Sequence, residues 1–457
     1  MRRFAPGQLV VRTAPGTELE RIAAHRDVRA GASSAALGLD RGPIDRVLRR
    51  HTTALQASRA YYSRRGLALG PGCGNAEFDD LEHELGLART FRVYLDPDVE
   101  LRVLAAELLE LSGIEHVEPA FVCESPFAAT APRPKLDRAR KLIGADRALE
   151  LEPGDSALIV ALVDSGVDAD HEELAGRLRP GVSSVALRDP TVDDLHVISG
   201  AHAKLQDVTD DQGHGTACAG LLAALGIAMG KGLAGAARLL PIRALCGALA
   251  PGASHPTAIG LIPDIDSGLK TAVDLNAQVL NLSFGTPENE LGDDAIPHVE
   301  AVRYALARDC VLIAAAGNSG NAMRFFPAAL PGVIAVGAVD DLRRPATFST
   351  RGDHVALSAP GVGIASATID GYGIVSGTSF AAPLVTGAVA LLMAHAARYS
   401  RALSPEEVRR VLMHSAQSFA PGADATGCGA GILDVPAALA AVEALCHDDE
   451  QRRAYGG

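Results

Sequence analysis

The amino-acid sequence predicts an α/β protein in two parts: a small α/β sandwich, then a larger domain with a largely parallel sheet that helices cover on both faces. The chain has 457 residues, more than one core usually holds, and 48% of them are apolar, enough to bury two cores. Beyond residue 145, continuous apolar runs alternate with helical patterns, which is typical of buried parallel strands. The first 125 residues carry shorter strand and helix patterns, as expected of a separate small domain.

Residues 1–125 are predicted to form the sandwich. Strand patterns cover 8–12, 90–95 and 116–123, and helical patterns cover 17–24 and 99–111. An insert at residues 31–87 separates the two halves and carries a helical pattern at 43–64. Residues 126–145 begin with a stretch rich in Ala, Pro and basic residues, which predicts an exposed linker. We expect proteolytic processing between Cys123 and Lys141.

The larger domain is predicted to span residues 146–446. Buried strands are expected at 157–163, 240–245, 279–284, 311–316 and 333–339, and helices at 217–229, 265–275 and 384–393. Ser404-Pro405-Glu406-Glu407 has the spacing of a capping box, which predicts a helix running to Met413. The last residues, 447–457, are polar and predict a frayed tail.

Composition argues against several kinds of partner. The formal net charge is −13, so no nucleic-acid partner is expected. Arg2 and Arg3 are not followed by an apolar segment, and no other stretch predicts a membrane span. The seven cysteines have no metal-ligand spacing, and an odd number suits a reducing compartment. Together these features predict a cytoplasmic protein with no membrane partner, although secretion by another route stays open.

A lone serine opens the most apolar predicted helix. Ser379 lies in Gly377-Thr378-Ser379-Phe380-Ala381-Ala382-Pro383, directly before the apolar run 384–393. A helix start offers unpaired N–H groups and a positive dipole end, which favour negative charge beside a serine oxygen during acyl transfer. The segment therefore indicates a nucleophile, although Gly-Thr-Ser also suits an ordinary helix cap.

Two upstream segments carry a base and a carboxylate. His214 lies between glycines in Asp211-Gln212-Gly213-His214-Gly215-Thr216, where an acyl group has room to approach. Asp164 follows the apolar run 157–163, at the carboxyl end of a predicted core strand. Taken alone, Asp164 is better explained as a cap of the next turn. All three segments together are less readily explained by chance.

The motifs resemble those of the subtilisin-like serine proteases over roughly residues 145–445. The resemblance rests on VALVDSGVDADHEEL around Asp164, DDQGHGTACAG around His214, VLNLSFG at 279–285, VLIAAAGNSG at 311–320 and GTSFAAPLVTGAVALL around Ser379. It implies the subtilisin-like fold and an Asp-His-Ser triad in the chain order known for that family. Phe380, Ala217 and Cys218 depart from common family residues and are interpreted as packing variants.

The resemblance also implies a role for each site residue. Ser379 attacks the scissile carbonyl, His214 transfers the proton, and Asp164 holds the His214 tautomer. Asn318 occupies the motif position of an oxyanion donor, with the Ser379 backbone N–H as a second donor. Asn318 is also suited to a turn with left-handed dihedrals, and both interpretations can hold.

The family binds extended peptides between two edges. By resemblance, Ser283, Phe284 and Gly285 form one edge by strand addition and, with Ala315, Ala316 and Gly317, wall the pocket for the residue before the cut. These small, uncharged walls predict an apolar or broad preference there. The other edge is expected at 246–256. The substrate is expected to be a peptide or protein.

No cofactor is expected for the chemistry, but the family often binds structural calcium. Glu173, in the segment His171-Glu172-Glu173-Leu174, is the candidate ligand. One carboxylate is little support for a cation that takes six to eight oxygens.

The segment FRVYLDPDVELRVLAAELLELSGIEHVEPAFV resembles the inhibitory prodomain of the same family. The resemblance implies that residues 1–125 act as an intramolecular inhibitor and that the protein is a zymogen. The alternative is an unrelated domain that binds a substrate or partner. Two further alternatives concern function: a permanently inhibited or vestigial protease that acts as a binding or regulatory protein, and a maturation protease for one peptide precursor.

Overall fold

The computed structural model describes residues 2–17, 19, 22–126, 138–187, 190–198, 204–369 and 371–455. They are organised by two large sheets. One is a parallel sheet of seven strands, and the other is an antiparallel sheet of eight strands. We call residues 2–126 the N-terminal region and residues 138–455 the C-terminal region. Of the expected processing region, residues 127–137 lie outside the described residues.

The N-terminal region is a sheet covered by helices. Its strands are β1 (Phe4–Thr13), β2 (Gln56–Arg59), β3 (Thr90–Tyr94) and β4 (Ile114–Pro126), in the antiparallel order β2-β3-β1-β4. Its helices are α1 (His25–Arg29), α2 (Pro43–His51), α3 (Arg64–Leu69), α4 (Asp80–Glu84) and α5 (Leu101–Leu109), with a short 3₁₀ turn at Leu87–Arg89. Helices α2 and α5 pack on one face of the sheet around a separate apolar core that includes Leu48, Phe91 and Leu104. The predicted small α/β sandwich is thus confirmed as a fold.

One helix predicted in this region was wrong, and another was predicted too long. The described residues of 17–24 are not helical, and α1 begins only at His25. The helix predicted at 43–64 ends at His51, because Thr52 and Thr53 donate to the distant carboxylate of Asp96, at 2.8 Å from Thr52 Oγ1 and 2.8 Å from the Thr53 nitrogen. The next residues form β2, which extends the sheet instead.

The C-terminal region is built on a seven-stranded parallel sheet in the order β17-β16-β14-β12-β5-β9-β6. These strands are β5 (Ile159–Asp164), β6 (Val182–Ser183), β9 (Arg238–Arg243), β12 (Val279–Leu282), β14 (Val311–Ala315), β16 (Ile334–Val339) and β17 (Val355–Pro360). Almost all of their residues are buried, as their continuous apolar sequences predict. The predicted fold class is confirmed.

Helices cover both faces of the parallel sheet. One face packs against α8 (His214–Ala223) and α12 (Thr378–Ala397), and the other packs against α9 (Ile262–Asp274) and α11 (Val299–Leu306). Strand β5 shows the alternation: Val160 and Leu162 join the first core, whereas Ala161 and Val163 join the second. In the part of the chain that the structure describes, α12 alone is long and apolar enough to cross a membrane, and 83% of its most apolar window is buried inside the protein.

The remaining elements complete the region. They are β7 (Thr191–Val192), β8 (Leu195–Val197), β10 (Cys246–Leu249), β11 (Thr257–Leu261), β13 (Thr286–Pro287), β15 (Phe325–Phe326), β18 (Ile364–Thr368), β19 (Gly371–Val375), α6 (Arg138–Leu142), α7 (Ala145–Leu151), α10 (Glu288–Leu291), α13 (Pro405–Ser415), α14 (Val435–Tyr455) and a 3₁₀ turn at Glu172–Leu174. The predicted capping box before α13 is present at Ser404 and Glu407. Of the tail predicted to fray at 447–457, the residues as far as Tyr455 are instead helical, as part of α14, and residues 456–457 lie outside the described residues.

One antiparallel sheet joins the two regions. Its order is β2-β3-β1-β4-β11-β10-β8-β7, so β4 of the N-terminal region pairs with β11 of the C-terminal region. The register matches Val122 with Leu261 and Pro126 with Thr257. The last strand of the N-terminal region therefore lies directly along an edge of the C-terminal region.

Candidate active site

Asp164 and His214 form a buried, hydrogen-bonded pair. Asp164 is the last residue of β5, and His214 is the first residue of α8. Their Oδ1 and Nδ1 atoms are 2.7 Å apart, and each side chain is 1% exposed. Burial opposes protonation of the imidazole, but the adjoining Asp164 carboxylate outweighs it and holds the pKa of His214 well above its ordinary value. This geometry fixes the tautomer and leaves Nε2 as the atom for proton transfer.

A carboxylate that the sequence analysis missed holds the His214 loop. Asp210 Oδ1 accepts from Ser165 Oγ and from the nitrogens of Gln212 and Gly213, at 2.8 to 3.0 Å. Its Oδ2 accepts from the nitrogen and hydroxyl of Thr216, at 2.9 and 2.6 Å. Such a carboxylate fixes the start of α8 relative to β5. Its position just before the Asp211–Thr216 motif was the available signal.

The glycine after His214 serves packing. A Cβ on Gly215 would lie 2.0 Å from the carbonyl oxygen of Gly166, so only glycine lets α8 approach the turn after β5 so closely. From the sequence alone, this glycine was expected to leave space for the acyl group. The structure instead gives it the role of bringing His214 to Asp164.

Ser379 is the second residue of α12, where a backbone N–H has no acceptor within the helix. Its hydroxyl donates to the Ser283 carbonyl at 3.2 Å. Its own carbonyl accepts from Ser283 Oγ at 2.8 Å and from Cys218 Sγ at 3.4 Å. Cys218 Sγ also lies 4.0 Å from His214 Nδ1, so the starts of α8 and α12 meet at this point. Burial raises the pKa of the Cys218 thiol to about 11, which keeps it protonated at neutral pH.

Asn318 lies on the loop after β14 and faces the start of α12. Its Oδ1 accepts from the nitrogen and the hydroxyl of Thr378, at 2.9 and 3.0 Å. These bonds orient the amide, and the two N–H donors of Nδ2 are left for a ligand in the cleft. The left-handed dihedrals of this turn belong to Gly317 and Gly320, with φ of 108° and 71°, and not to Asn318.

A pocket of about 220 Å³ adjoins Ser379. Most of the residues predicted to wall it do so, and the lining consists of Glu124, Ser125, Ser283, Phe284, Gly285, Ala315, Gly317, Asn318, Ser319, Phe325, Thr378 and Ser379. Ala316 was expected there but is buried behind the wall, where its nitrogen donates to the Val336 carbonyl in the adjacent strand. Phe325 was not predicted to contribute.

The N-terminal region reaches this pocket. Glu124 and Ser125, near the end of β4, line it, and Ser125 Oγ donates to the Ser283 carbonyl at 3.4 Å. The Ser379 hydroxyl donates to the same carbonyl. The edge that pairs with β4 is β11, whereas the edge predicted at 246–256 contains β10, one strand further from the pocket.

Glu173 is not placed to bind calcium. Its two carboxylate oxygens accept from the nitrogens of Gly226, Ile227, Ala228 and Met229, at 2.7 to 3.1 Å. Burial opposes its charge, but these four donors hold the pKa of Glu173 below its ordinary value. The carboxylate therefore organises the loop at 225–229, which also ends the helix predicted at 217–229 early.

Among the described residues, clustered His, Cys, Asp and Glu side chains do not form a group suited to calcium. The one group of three or more His, Cys, Asp or Glu side chains close enough to share a metal consists of Asp164, His214 and Cys218. Calcium requires six to eight oxygens, and this group has a single carboxylate.

Fold and site together define a class of protein: an α/β protein whose buried Asp–His pair and helix-opening serine meet at the carboxyl edge of a parallel sheet. The subtilase family model, Peptidase_S8, matches residues 155–431. The chain therefore belongs to the subtilase family.

Individual proteins similar to this chain are consistent with this family membership. The chain is 37% identical over 260 residues to a thermophilic serine proteinase of Bacillus sp. (strain AK1), covering 54% of this chain and 55% of that protein. It is 31% identical over 285 residues to a subtilisin of Bacillus pumilus, covering 61% of this chain and 90% of that protein. The solved structure of prenylagaramide maturation protease PagA is 27% identical, with a TM-score of 0.52, and the match covers 65% of this chain and 98% of PagA. The chain thus spans little more than half the length of the first of these relatives.

Proposed function

We propose that this chain is a serine endopeptidase made in a latent form, in which the N-terminal region blocks its own active site. The observation that carries the proposal is the pairing of β4 with β11, which brings Glu124 and Ser125 into the pocket beside Ser379. An extended strand that pairs with an edge of the cleft resembles a bound peptide.

The chemistry is acyl transfer by Ser379. Its oxygen attacks the scissile carbonyl carbon while His214 Nε2 takes the hydroxyl proton, and the buried Asp164 carboxylate stabilises the imidazolium that forms. His214 then gives this proton to the leaving amine as the C–N bond breaks, which leaves an acyl-enzyme. Water, deprotonated by His214, hydrolyses the ester and restores the Ser379 hydroxyl.

Two donors serve the oxyanion. The Ser379 N–H lacks an intrahelical acceptor, and the amide of Asn318 is oriented through Thr378 with its Nδ2 donors available. Both groups belong to the pocket lining. Because these donors are positioned before substrate arrives, they stabilise the developing charge with little reorganisation.

Contacts outside the cleft hold the N-terminal region in place. Tyr61, Leu85 and Phe121 belong to the same apolar core as α9 and α11. Ion pairs also join the two regions: Arg92–Asp264, Glu82–Lys270, Asp79–Arg308, Arg12–Glu300 and Arg102–Asp294. Asp79 and Glu82 come from the insert at 31–87. These contacts support a role for the insert as a second anchor of the inhibitory region.

The test follows the chain directly by intact mass, comparing wild type with Ser379→Ala before and after incubation. Self-processing predicts new masses in wild type alone, from cuts between Cys123 and Lys141. A fluorophosphonate probe should label wild type only after such processing. Labelling of uncut wild type at full rate contradicts latency, whereas absence of labelling under every condition favours the binding or regulatory alternative.

A second candidate is a maturation protease that trims one peptide precursor. The likeness to the prenylagaramide maturation protease favours it. A proteome-derived peptide library separates the two: cleavage at many unrelated sequences supports a general endopeptidase, and cleavage at one short motif supports maturation.

A further inference from the structure

An aromatic side chain occupies the space between the two walls of the pocket beside Ser379. Phe325 lies on β15, is half-buried and lines this pocket. The walls are the segments 283–285 and 315–317, and each ends in a glycine. Phe325 is the residue that contacts both of these glycines.

The distance from an ideal Cβ atom built on each glycine shows how closely the Phe325 ring approaches that glycine. A Cβ on Gly317 would lie 2.3 Å from Phe325 Cδ2 and 2.6 Å from Cε2, far inside van der Waals contact. A Cβ on Gly285 would lie 3.3 Å from Phe325 Cβ and 3.5 Å from Cδ1. The ring therefore lies directly against Gly317, within the lining of the pocket.

The ring is also held there. Phe325 pairs with Pro287 in the β13–β15 ladder, and the next residue, Phe326, is buried in the core. The Glu288 nitrogen donates to the carbonyl of Arg324, the preceding residue, at 2.8 Å. A backbone fixed on both sides of Phe325 limits how far the ring can withdraw.

We propose that Phe325 is a specificity-determining residue that restricts the amino acid before the scissile bond to small side chains, namely glycine, alanine and serine. This inference rests on the proposed endopeptidase function. It replaces the apolar or broad preference expected from the wall sequences alone. The lining by Ser125 of this chain's own β4 agrees with a pocket suited to small residues.

The physical reason is steric. The 220 Å³ pocket also includes the space in front of Ser379 and Thr378, so little depth remains between the walls. A leucine or phenylalanine there must displace the ring or the backbone of Gly317, and overpacking of this kind is unfavourable. Alanine needs no such displacement.

The experiment uses peptides that differ only in the residue before the cut: alanine, leucine or phenylalanine. The protein is prepared as the full-length chain and allowed to process. Its active sites are then titrated with a fluorophosphonate, so that kcat/KM is expressed per active site. Wild type should cleave the alanine peptide at least about 100-fold better than the phenylalanine peptide. Phe325→Ala should raise kcat/KM for the phenylalanine peptide by about 100-fold and leave the alanine peptide within a few-fold.

Controls separate specificity from stability. Arg324→Gln changes an exposed neighbour on the same segment and should retain the wild-type ratio. Phe325→Leu keeps an apolar side chain, should melt near wild type and should give an intermediate ratio. Equal cleavage of the alanine and phenylalanine peptides by wild type overturns the proposal, as does an unchanged ratio in both Phe325 variants. No labelling and no cleavage of any peptide refutes the endopeptidase function instead.

Discussion

Replacing Lys270 by methionine should release the inhibitory region faster. Lys270 lies on α9, is 2% exposed and meets three groups: Glu82 at 2.5 Å, Asp274 at 2.6 Å and the Tyr62 carbonyl at 2.8 Å. Glu82 and Tyr62 belong to the N-terminal region, and Asp274 lies one turn along α9. Methionine retains most of the apolar stem but removes the ammonium group, which lies 4.8 Å from the centroid of the Tyr304 ring.

The magnitude follows from what the substitution leaves behind. Glu82 is fully buried, and its other donors are the nitrogens of Arg64 and Asp79. Breaking a buried ion pair by removing one partner costs about 3–5 kcal/mol, because the remaining charge stays desolvated. When the N-terminal region leaves, Glu82 regains water, so most of this penalty falls on the docked state. About 3 kcal/mol corresponds to a roughly 100-fold weaker association.

The assay measures how fast a fluorophosphonate labels Ser379 after the linker has been cut. Lys270→Met should label about 100-fold faster than wild type, and Glu82→Gln should also accelerate labelling. The two effects should be non-additive in the double variant, because the side chains share one contact. Lys231→Met removes an exposed lysine outside this interface and should label at the wild-type rate. A wild-type rate for Lys270→Met, with its melting temperature unchanged, refutes the anchoring role.

Three further predictions concern the site and its surroundings. Asp164→Asn should lower turnover by about 10⁴-fold. It should also move the acid limb of the residual pH profile to lower pH, because the carboxylate that raises the pKa of His214 is gone; a limb that moves to higher pH contradicts the assignment. Asn318→Ala should lower kcat by about 10²- to 10³-fold, the loss known for such a donor in subtilisin, with a much smaller change in KM; an equal loss in KM points to ground-state binding instead. Glu173→Gln should lower the melting temperature, since an amide cannot accept from all four loop nitrogens, at a cost of about 1–3 kcal/mol. Added Ca²⁺ should then shift wild type and this variant equally, and a shift confined to wild type contradicts the loop-organising role.

Local sequence patterns predicted the parallel sheet and the three residues, Asp164, His214 and Ser379, that meet at the site. The strand before Asp164 and the helices at His214 and Ser379 are each encoded within about ten consecutive residues, so their types follow from apolar runs and glycines. Parallel strands then place their carboxyl ends on one edge, where such residues meet.

Distant contacts decided what sequence could not predict. The helix expected at 43–64 stops because Thr52 meets Asp96, a residue 44 positions away. Glu173 was predicted as a cation ligand, but in the structure both of its carboxylate oxygens accept hydrogen bonds from the backbone nitrogens of residues 226–229. Phe325 is an ordinary aromatic in the sequence, and only the fold places its ring against Gly317. In each case the local pattern was compatible with the prediction, and a tertiary partner changed the outcome.

The sheet shared by the two regions explains how the proposed latency is maintained and what must happen before it ends. Strand β4 pairs with the edge strand β11, and under the proposed latency an extended substrate needs this same edge, so β4 must leave before substrate binds. A cut in the linker removes only the covalent tether, because the β4–β11 ladder and the buried Glu82–Lys270 contact remain. The proposed latency therefore predicts that activity depends on dissociation or destruction of the N-terminal region after the cut. The insert, which supplies Glu82, is then the part of that region whose proteolysis most directly weakens the second anchor.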